Sequence, residues 1–156
     1  MYGEPVPTHT KPSGEVVPRD ESCQGRRSIY QIVRRSQPQS FLNAFDAPIM
    51  ETNCTRRTVS TTATQALALM NSEFLAAQAE HFARRVLREA PAGALDYAFR
   101  LAMARKPEAA ELETLLRFVQ EQTERYAKVP TAERQLRVYS DLCQSLFSAN
   151  EFVYID

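Results

Sequence analysis

The chain has 156 residues, of which 44% are hydrophobic and 24% are charged, and its formal net charge at pH 7 is zero. This length fits one domain that buries roughly two thirds of the surface of its unfolded chain. The balanced charge gives no overall attraction to nucleic acid or membranes. No segment approaches the roughly 18 consecutive apolar residues of a membrane span, and none resembles a signal peptide.

The first 25 residues are predicted to form an irregular arm. They contain four of the nine prolines and three of the four glycines, with few large apolar residues. We expect this arm to add nothing to a hydrophobic core, so its removal should change stability little. The β-branched and aromatic residues at 28–33 then predict a short extended segment, with a pairing of two residues at most.

Two short helices are predicted next. Ser36 and Gln39 fit a capping box, and Pro48 ends the apolar run that follows them. Thr62 and Gln65 repeat the capping-box pattern before a second apolar run. Each of these segments therefore has a local signal for its first turn.

Four longer helices are predicted in the remainder of the chain. Ser72 is the expected cap of the first, and Pro107 the first helical residue of the third. Apolar residues recur at intervals of three and four throughout, which predicts an all-α domain of antiparallel helices over residues 26–156. We expect the arm and the arginine-rich segment to pack on this bundle. The predicted helices run from 72 to 90, 94 to 104, 107 to about 128, and 131 to about 149.

Residues 26–74 contain six arginines set among apolar residues. Within residues 19–57, seven arginines and four acidic residues leave a balance of +3. Arginine is always charged and presents a rigid fork of donors, so these side chains need water, acids, carbonyl groups or an anionic ligand. One interpretation is a pocket for a carboxylate, sulfate or phosphate group. Its candidate residues are Arg27, Arg34, Arg35, Asp46, Arg56, Arg57, Gln65, Asn71, Asn150 and Glu151.

The other interpretation of the arginines is structural. In it, Asp46, Glu51 and Glu151 neutralise them and hold the non-helical segment in place. A further hypothesis pairs Asp46 with Glu151 for general acid and base catalysis. Asn71 and Asn150 each follow an apolar helical run, which predicts helix ends, although the two could also line one surface.

The three cysteines are far apart and outside any CxxC motif, which argues against a zinc cluster or covalently attached haem. They are predicted to be free thiols, with Cys143 buried on a helix, although Cys23 and Cys54 could form a disulfide in an exported protein. Cys54 could instead have a lowered thiol pKa beside Arg56 and Arg57. The two histidines are also far apart, and no metal, cofactor or nucleic-acid motif is present.

Four segments of the sequence resemble the planctomycete-type domain of unknown function 1553. They occur in the family's order and cover about Gly25 to Asp156. The resemblance implies the C-terminal part of a large exported bacterial protein, in which relatives often carry c-type cytochrome modules; those modules are missing from this chain. The family brings no established activity with it. The segments are GRRSIY, FLNAFDAP, NCTRRTVSTTATQALALMNSEF and DLCQSLFSANEFVYID.

The sequence therefore predicts a non-catalytic helical scaffold or interaction module, with other domains of a longer parent protein or an anionic glycan as partners. No catalytic residue, metal or cofactor is assigned, and the family resemblance suggests export. The alternative is a portion of an enzyme or binding protein for anionic polysaccharide. Its substrate-facing residues would be Arg34, Arg35, Arg56, Arg57 and Asp46.

Overall fold

The computed structural model describes residues 3–19, 25–48 and 63–154, which belong to two compact units, residues 1–68 and 69–156. Seven α-helices and one two-stranded sheet lie in the described ranges, which confirms a mostly helical chain. The domain boundary predicted at residue 25 stays a prediction, as does the packing of the arginine-rich segment on the bundle.

The first unit begins with a β-hairpin, in the segment that was expected to be irregular. β1 (Thr8–Thr10) pairs antiparallel with β2 (Val16–Pro18). Gly14 has φ +85° in the connecting turn, a conformation that glycine adopts without strain. β-Branched valine and threonine favour the strands, and Pro18 occupies only the last strand position. The number of prolines therefore gave the wrong prediction for this segment.

The arm also contributes to the core of the first unit, contrary to the sequence-based expectation. Val6 is 0% exposed and Val16 is buried. The Val6 N–H donates to the Tyr30 carbonyl (2.7 Å), and the Ile32 N–H donates to the Val6 carbonyl (2.9 Å). These two bonds flank an isolated bridge of Val6 with Gln31 and give the short pairing that was expected, but the predicted extended segment is wrong for residues 28–30, which form a 3-10 turn. The Val16 N–H donates to Ser40 Oγ at 3.0 Å.

The rest of the first unit consists of short elements. A 3-10 turn at Ser28–Tyr30 is followed by extended residues, and α1 spans Ser40–Ala44. Gln39 caps α1 without a side-chain hydrogen bond, so the capping box predicted from Ser36 is absent. α2 spans Ala63–Asn71, and the division between the two units falls within it. Its predicted cap, Thr62, lies outside the described residues.

Four longer helices and one short helix form the second unit. α6 contacts all the others that follow residue 72, most extensively α3. The predicted positions of the four longer helices are confirmed, whereas α7 was not predicted as a separate element. The helices are α3 (Glu73–Glu89), α4 (Ala94–Met103), α5 (Ala109–Arg125), α6 (Thr131–Phe147) and α7 (Asn150–Val153).

The core of the second unit combines small and large side chains. Ala79 and Ala83 of α3 are buried with Cys143 of α6, and these small residues allow the two helices to approach closely. Val86 of α3 belongs to a second buried cluster with Phe99 of α4 and with Leu146. Removal of these apolar side chains from water stabilises the unit.

The ends of the long helices only partly follow the prediction. Ser72 caps α3 as expected, since its Oγ accepts a hydrogen bond from the Leu75 N–H at 3.3 Å. For α5, the cap is Glu108, which forms a capping box with Glu111. Pro107 therefore precedes the cap, and its predicted place inside the first turn is wrong. A glutamate at the third helical position, rather than the proline, was the better signal.

Candidate functional site

Arg26 has a structural role in the first unit. Its Nη1 donates to the Glu4 carbonyl at 2.7 Å, and its guanidinium lies 4.6 Å from the centroid of the Tyr30 ring. Gly3 is close to both groups, because a Cβ at this position would be 2.6 Å from Arg26 Nη2 and from Tyr30 Cε1. Arg26 therefore fixes the N-terminal segment against the 3-10 turn.

Three arginines of the predicted site, Arg27, Arg34 and Arg35, are exposed. Among residues 3–19, 25–48 and 63–154, no carboxylate forms an ion pair with Arg27, Arg34 or Arg35. The internal network predicted for them is therefore absent from the described part of the chain. Arg56 and Arg57 lie outside the described residues, as does Glu51.

Exposed apolar side chains lie between these arginines. Ile29 is 69% exposed and Val33 is 51% exposed, and Ile32 is also exposed. These three branched aliphatic residues expose apolar surface within five positions of the chain, and binding of a partner would remove such surface from water. We refer to this surface as the 27–35 patch, which comprises Arg27, Ile29, Ile32, Val33, Arg34 and Arg35.

Two further predicted site residues connect α1 to α2 within the first unit. Gln65 is buried, and its Nε2 donates to Asp46 Oδ2 at the long distance of 3.5 Å. Asp46 follows α1 with φ 55°, in the left-handed region that aspartate tolerates better than most residues. The structure thus brings Asp46 and Gln65 together, and both have further interactions.

Glu151 belongs to an ion-pair cluster that the sequence analysis missed. Arg105 Nε and Nη2 donate to the Glu151 carboxylate at 2.6 and 2.8 Å. The Arg105 Nη1 and Nη2 atoms donate to Glu111 at 2.7 Å each. This arginine joins the end of α4 to α5 and α7. The sequence did offer a signal for this cluster. Arg105 follows the predicted helix α4 and lies six residues before Glu111, which belongs to the capping box of α5.

The cluster changes the acidity of both carboxyl groups. The Arg105 hydrogen bonds, followed by one from the Glu108 N–H, lower the pKa of Glu111 to about 2. Arg105 also lowers the pKa of Glu151. Both groups therefore remain ionised at neutral pH. A lowered pKa makes Glu151 less suited to act as a general acid, and its pairing with Asp46 for acid and base catalysis stays a prediction.

The two asparagines lie at helix ends, as predicted. Asn71 is the last residue of α2, and Asn150 is the first residue of α7. In the described part of the chain, the non-glycine residues with positive φ are Asp46 and Ala104, so neither asparagine adopts the left-handed conformation. The hypothesis that the two line one surface stays a prediction.

Cys143 is a buried thiol on α6, as predicted. Burial raises its pKa to about 12, which keeps it protonated and unreactive at neutral pH. Cys23 and Cys54 lie outside the described residues. Over the described ranges, no group of three potential metal ligands occurs, and no helix is long and apolar enough to cross a membrane.

The chain matches a known protein family over most of its length. The model of a family described as "Protein of unknown function (DUF1553)" matches residues 1–119. The matched region includes the hairpin and ends within α5, whereas the resemblance in the sequence was assigned from Gly25 to the C-terminus. Neither a curated protein nor a solved structure matches the chain.

Proposed function

The chain belongs to the DUF1553 family of proteins of unknown function, and we propose that it is a non-catalytic helical interaction module that binds a partner through the 27–35 patch. We also propose that the chain is the C-terminal part of a larger exported protein of planctomycete type. The partner is an acidic segment of another domain of that protein.

The exposure of the 27–35 patch is the observation that carries this proposal. Ile29, Ile32 and Val33 expose aliphatic surface, and association that covers such surface is favoured by about 25 cal/mol for each Å² removed from water. Arginine is also enriched at protein interfaces, where its planar fork binds carboxylates through two hydrogen bonds. Apolar and charged contacts would therefore act together.

The positive charge of the 27–35 patch favours an acidic partner. Arg27, Arg34 and Arg35 place three positive charges within nine residues, without a paired carboxylate in the described ranges. A partner segment that alternates acidic and apolar residues satisfies both parts of the patch. Like charges would oppose the approach of a basic partner, so the charges also provide specificity.

The surface of the second unit differs from the patch, because several of its arginines have acidic partners on the same helix. Each of these pairs joins residues four apart in sequence, which is a common arrangement on an exposed helix face. Such charges are neutralised locally and favour an acidic partner less. The pairs are Arg84 with Glu80, Arg85 with Glu89, Arg100 with Asp96, and Arg137 with Glu133.

The test is a titration of the chain with a synthetic peptide in which glutamate alternates with leucine, followed by calorimetry or fluorescence anisotropy. We expect binding at low salt that weakens as ionic strength rises. Val33→Ser should weaken binding, whereas Leu116→Ser should not. Leu116 is the matched control, because it is a similarly exposed (56%) aliphatic residue on α5.

A peptide with lysine in place of glutamate provides the charge control and should not bind. Equal affinity for the acidic and basic peptides would contradict the charge argument. Equal losses of affinity in Val33→Ser and Leu116→Ser would place binding on exposed apolar surface in general. Absence of binding by the acidic peptide would reject the proposed partner.

A further inference from the structure

A pocket of about 510 Å³ lies in the first unit, and none of its lining residues belongs to the 27–35 patch. The hairpin turn, the turn at residues 34–37, α1 and the first turn of α2 contribute to it. Its volume is within the range of roughly 300 to 1,000 Å³ that is usual for small-molecule sites. The lining residues are Thr10, Gly14, Val16, Ser36, Gln37, Pro38, Ser40, Asn43, Ala44 and Thr64.

Six of these ten side chains carry a hydroxyl or an amide group, and none is ionisable. Ser40 Oγ accepts a hydrogen bond from the Val16 N–H, which fixes α1 beside β2 at the pocket. The other five polar side chains make no hydrogen bond to any described residue. Their donors and acceptors are therefore available to a ligand.

We infer that this pocket binds a sugar unit that carries a carboxylate or sulfate group. Hydroxyl and amide side chains both donate and accept hydrogen bonds, which matches the many hydroxyl groups of a sugar. Val16, Pro38 and Ala44 add apolar surface for its C–H groups. A strongly apolar ligand would leave the polar lining without partners, at a cost in affinity.

Arg34 and Arg35 directly precede the lining residues Ser36 and Gln37 in sequence and would supply the recognition of the acidic group. They occupy the first two positions of a turn in which Ser36 and Gln37 line the pocket, and the Gln37 N–H donates to the Arg34 carbonyl at 3.1 Å. Both arginines are exposed and have no ion pair among the described residues. A carboxylate or sulfate on the bound sugar would accept hydrogen bonds from their guanidinium groups.

The pocket residues and the apolar residues of the 27–35 patch are different, and the two proposals share only Arg34 and Arg35. Val33→Ser should leave sugar binding unchanged, and Asn43→Ala should leave peptide binding unchanged. The two proposals can therefore fail separately.

The experiment uses calorimetry with the full chain and four probes at low salt: a sulfated disaccharide, a uronic-acid disaccharide, the matching neutral disaccharide and inorganic sulfate. We expect heat of binding from both acidic disaccharides, with weaker binding of the neutral one. Asn43→Ala, Thr64→Val and Arg35→Ala should each weaken binding of the acidic disaccharides by about fivefold or more.

Arg117→Ala is the control for charge, because Arg117 is an exposed arginine on α5. It should leave affinity unchanged, and circular dichroism should establish that every variant is folded. Absence of heat from both acidic disaccharides at millimolar concentration would overturn the inference. Affinity unchanged by Asn43→Ala and Thr64→Val would also overturn it, and equally tight binding of inorganic sulfate would reduce the site to an anion site.

Discussion

Individual leucines on the long helices have very different environments, although their spacing in the sequence is similar. Leu142 of α6 is 1% exposed, whereas Leu116 of α5 is mostly accessible. Both belong to apolar residues that recur at intervals of three and four. Periodicity identifies an apolar face but not how much of that face a neighbour covers, so it could not distinguish these two residues.

Truncation of the two leucines should therefore have different effects. Leu142→Ala should lower the free energy of unfolding by about 2 to 5 kcal/mol, through lost burial and the cavity left behind. Leu116→Ala should change it by about 0.5 kcal/mol or less, as for most surface positions. Urea unfolding followed by circular dichroism measures both. Similar losses in the two variants would contradict the assignment of Leu142 to the core.

At the scale of elements, helix ends and an arginine cluster stabilise the second unit in addition to its core. Ser72 caps α3, and Arg105 connects α4 with α5 and α7. The cap was visible in the sequence because its partner is three residues away. The cluster was not, because Glu151 is 46 residues from Arg105.

Ser72→Ala should lower the free energy of unfolding by about 1 kcal/mol, because the Leu75 N–H loses its acceptor. Ser72→Asp is the matched control and should retain most of that stability, since aspartate is also a good cap. Thermal unfolding of the three proteins provides the comparison. A loss in the aspartate variant equal to that in the alanine variant would argue against the capping role.

The arginine cluster predicts a dependence of stability on pH. The pKa of Glu111 is lowered from 4.5 to about 2 in the folded chain. Its contribution is therefore present above about pH 4.5 and is lost as pH falls towards 2. The lowered pKa of Glu151 acts in the same direction. Denaturant unfolding at several pH values should show this loss between pH 4.5 and 2.

Arg105→Ala should make the stability of the second unit less dependent on pH in this window. Arg137→Ala is the control, because Arg137 forms an exposed pair with Glu133 four residues away on the same helix. It should leave most of the pH dependence in place. A pH dependence unchanged by Arg105→Ala would show that other carboxyl groups cause it.

At the scale of the whole molecule, the N-terminal segment that contains Val6 and the hairpin stabilises the first unit. Val6 and Val16 are buried, and each buried valine contributes about 1.5 to 3 kcal/mol. Deletion of residues 1–19 should therefore remove protection from hydrogen exchange in residues 25–48. Protection in α3 and α6 should persist, because their core clusters consist of residues after 78.

Val6→Ala tests the same point without a deletion and should also reduce protection in residues 25–48. Val33→Ala is its control, because Val33 is exposed. If hydrogen exchange in residues 25–48 is unchanged after deletion of residues 1–19, the N-terminal arm does not stabilise the first unit.

The helices were predictable because their signals are local, as shown by the Ser72 cap and the apolar periodicity of α3 and α6. The hairpin was missed because the prolines were given more weight than the β-branched residues of its strands. The backbone pairing of Val6 with residues 30–32 was not specified because it joins residues distant in sequence. The prolines there occupy positions that need no ladder hydrogen bond, and composition cannot show this.

The candidate site was less predictable than the fold. The sequence identified Arg27, Arg34 and Arg35 as charges in need of partners, but their exposure depends on which carboxylates the fold places nearby. It assigned Glu151 to the same site, whereas Arg105 binds this carboxylate in the second unit. The pocket that includes Asn43 was missed because its lining comes from four separate elements.

The central claim is that the 27–35 patch binds an acidic partner, and NMR mapping tests it most directly. Amide chemical shifts of the isotope-labelled chain would be followed during titration with the glutamate–leucine peptide. We expect the largest changes at residues 27–35, with saturation at one site and loss of the changes in Val33→Ser. Changes concentrated on α5, or spread evenly over exposed apolar residues such as Leu116, would contradict the claim.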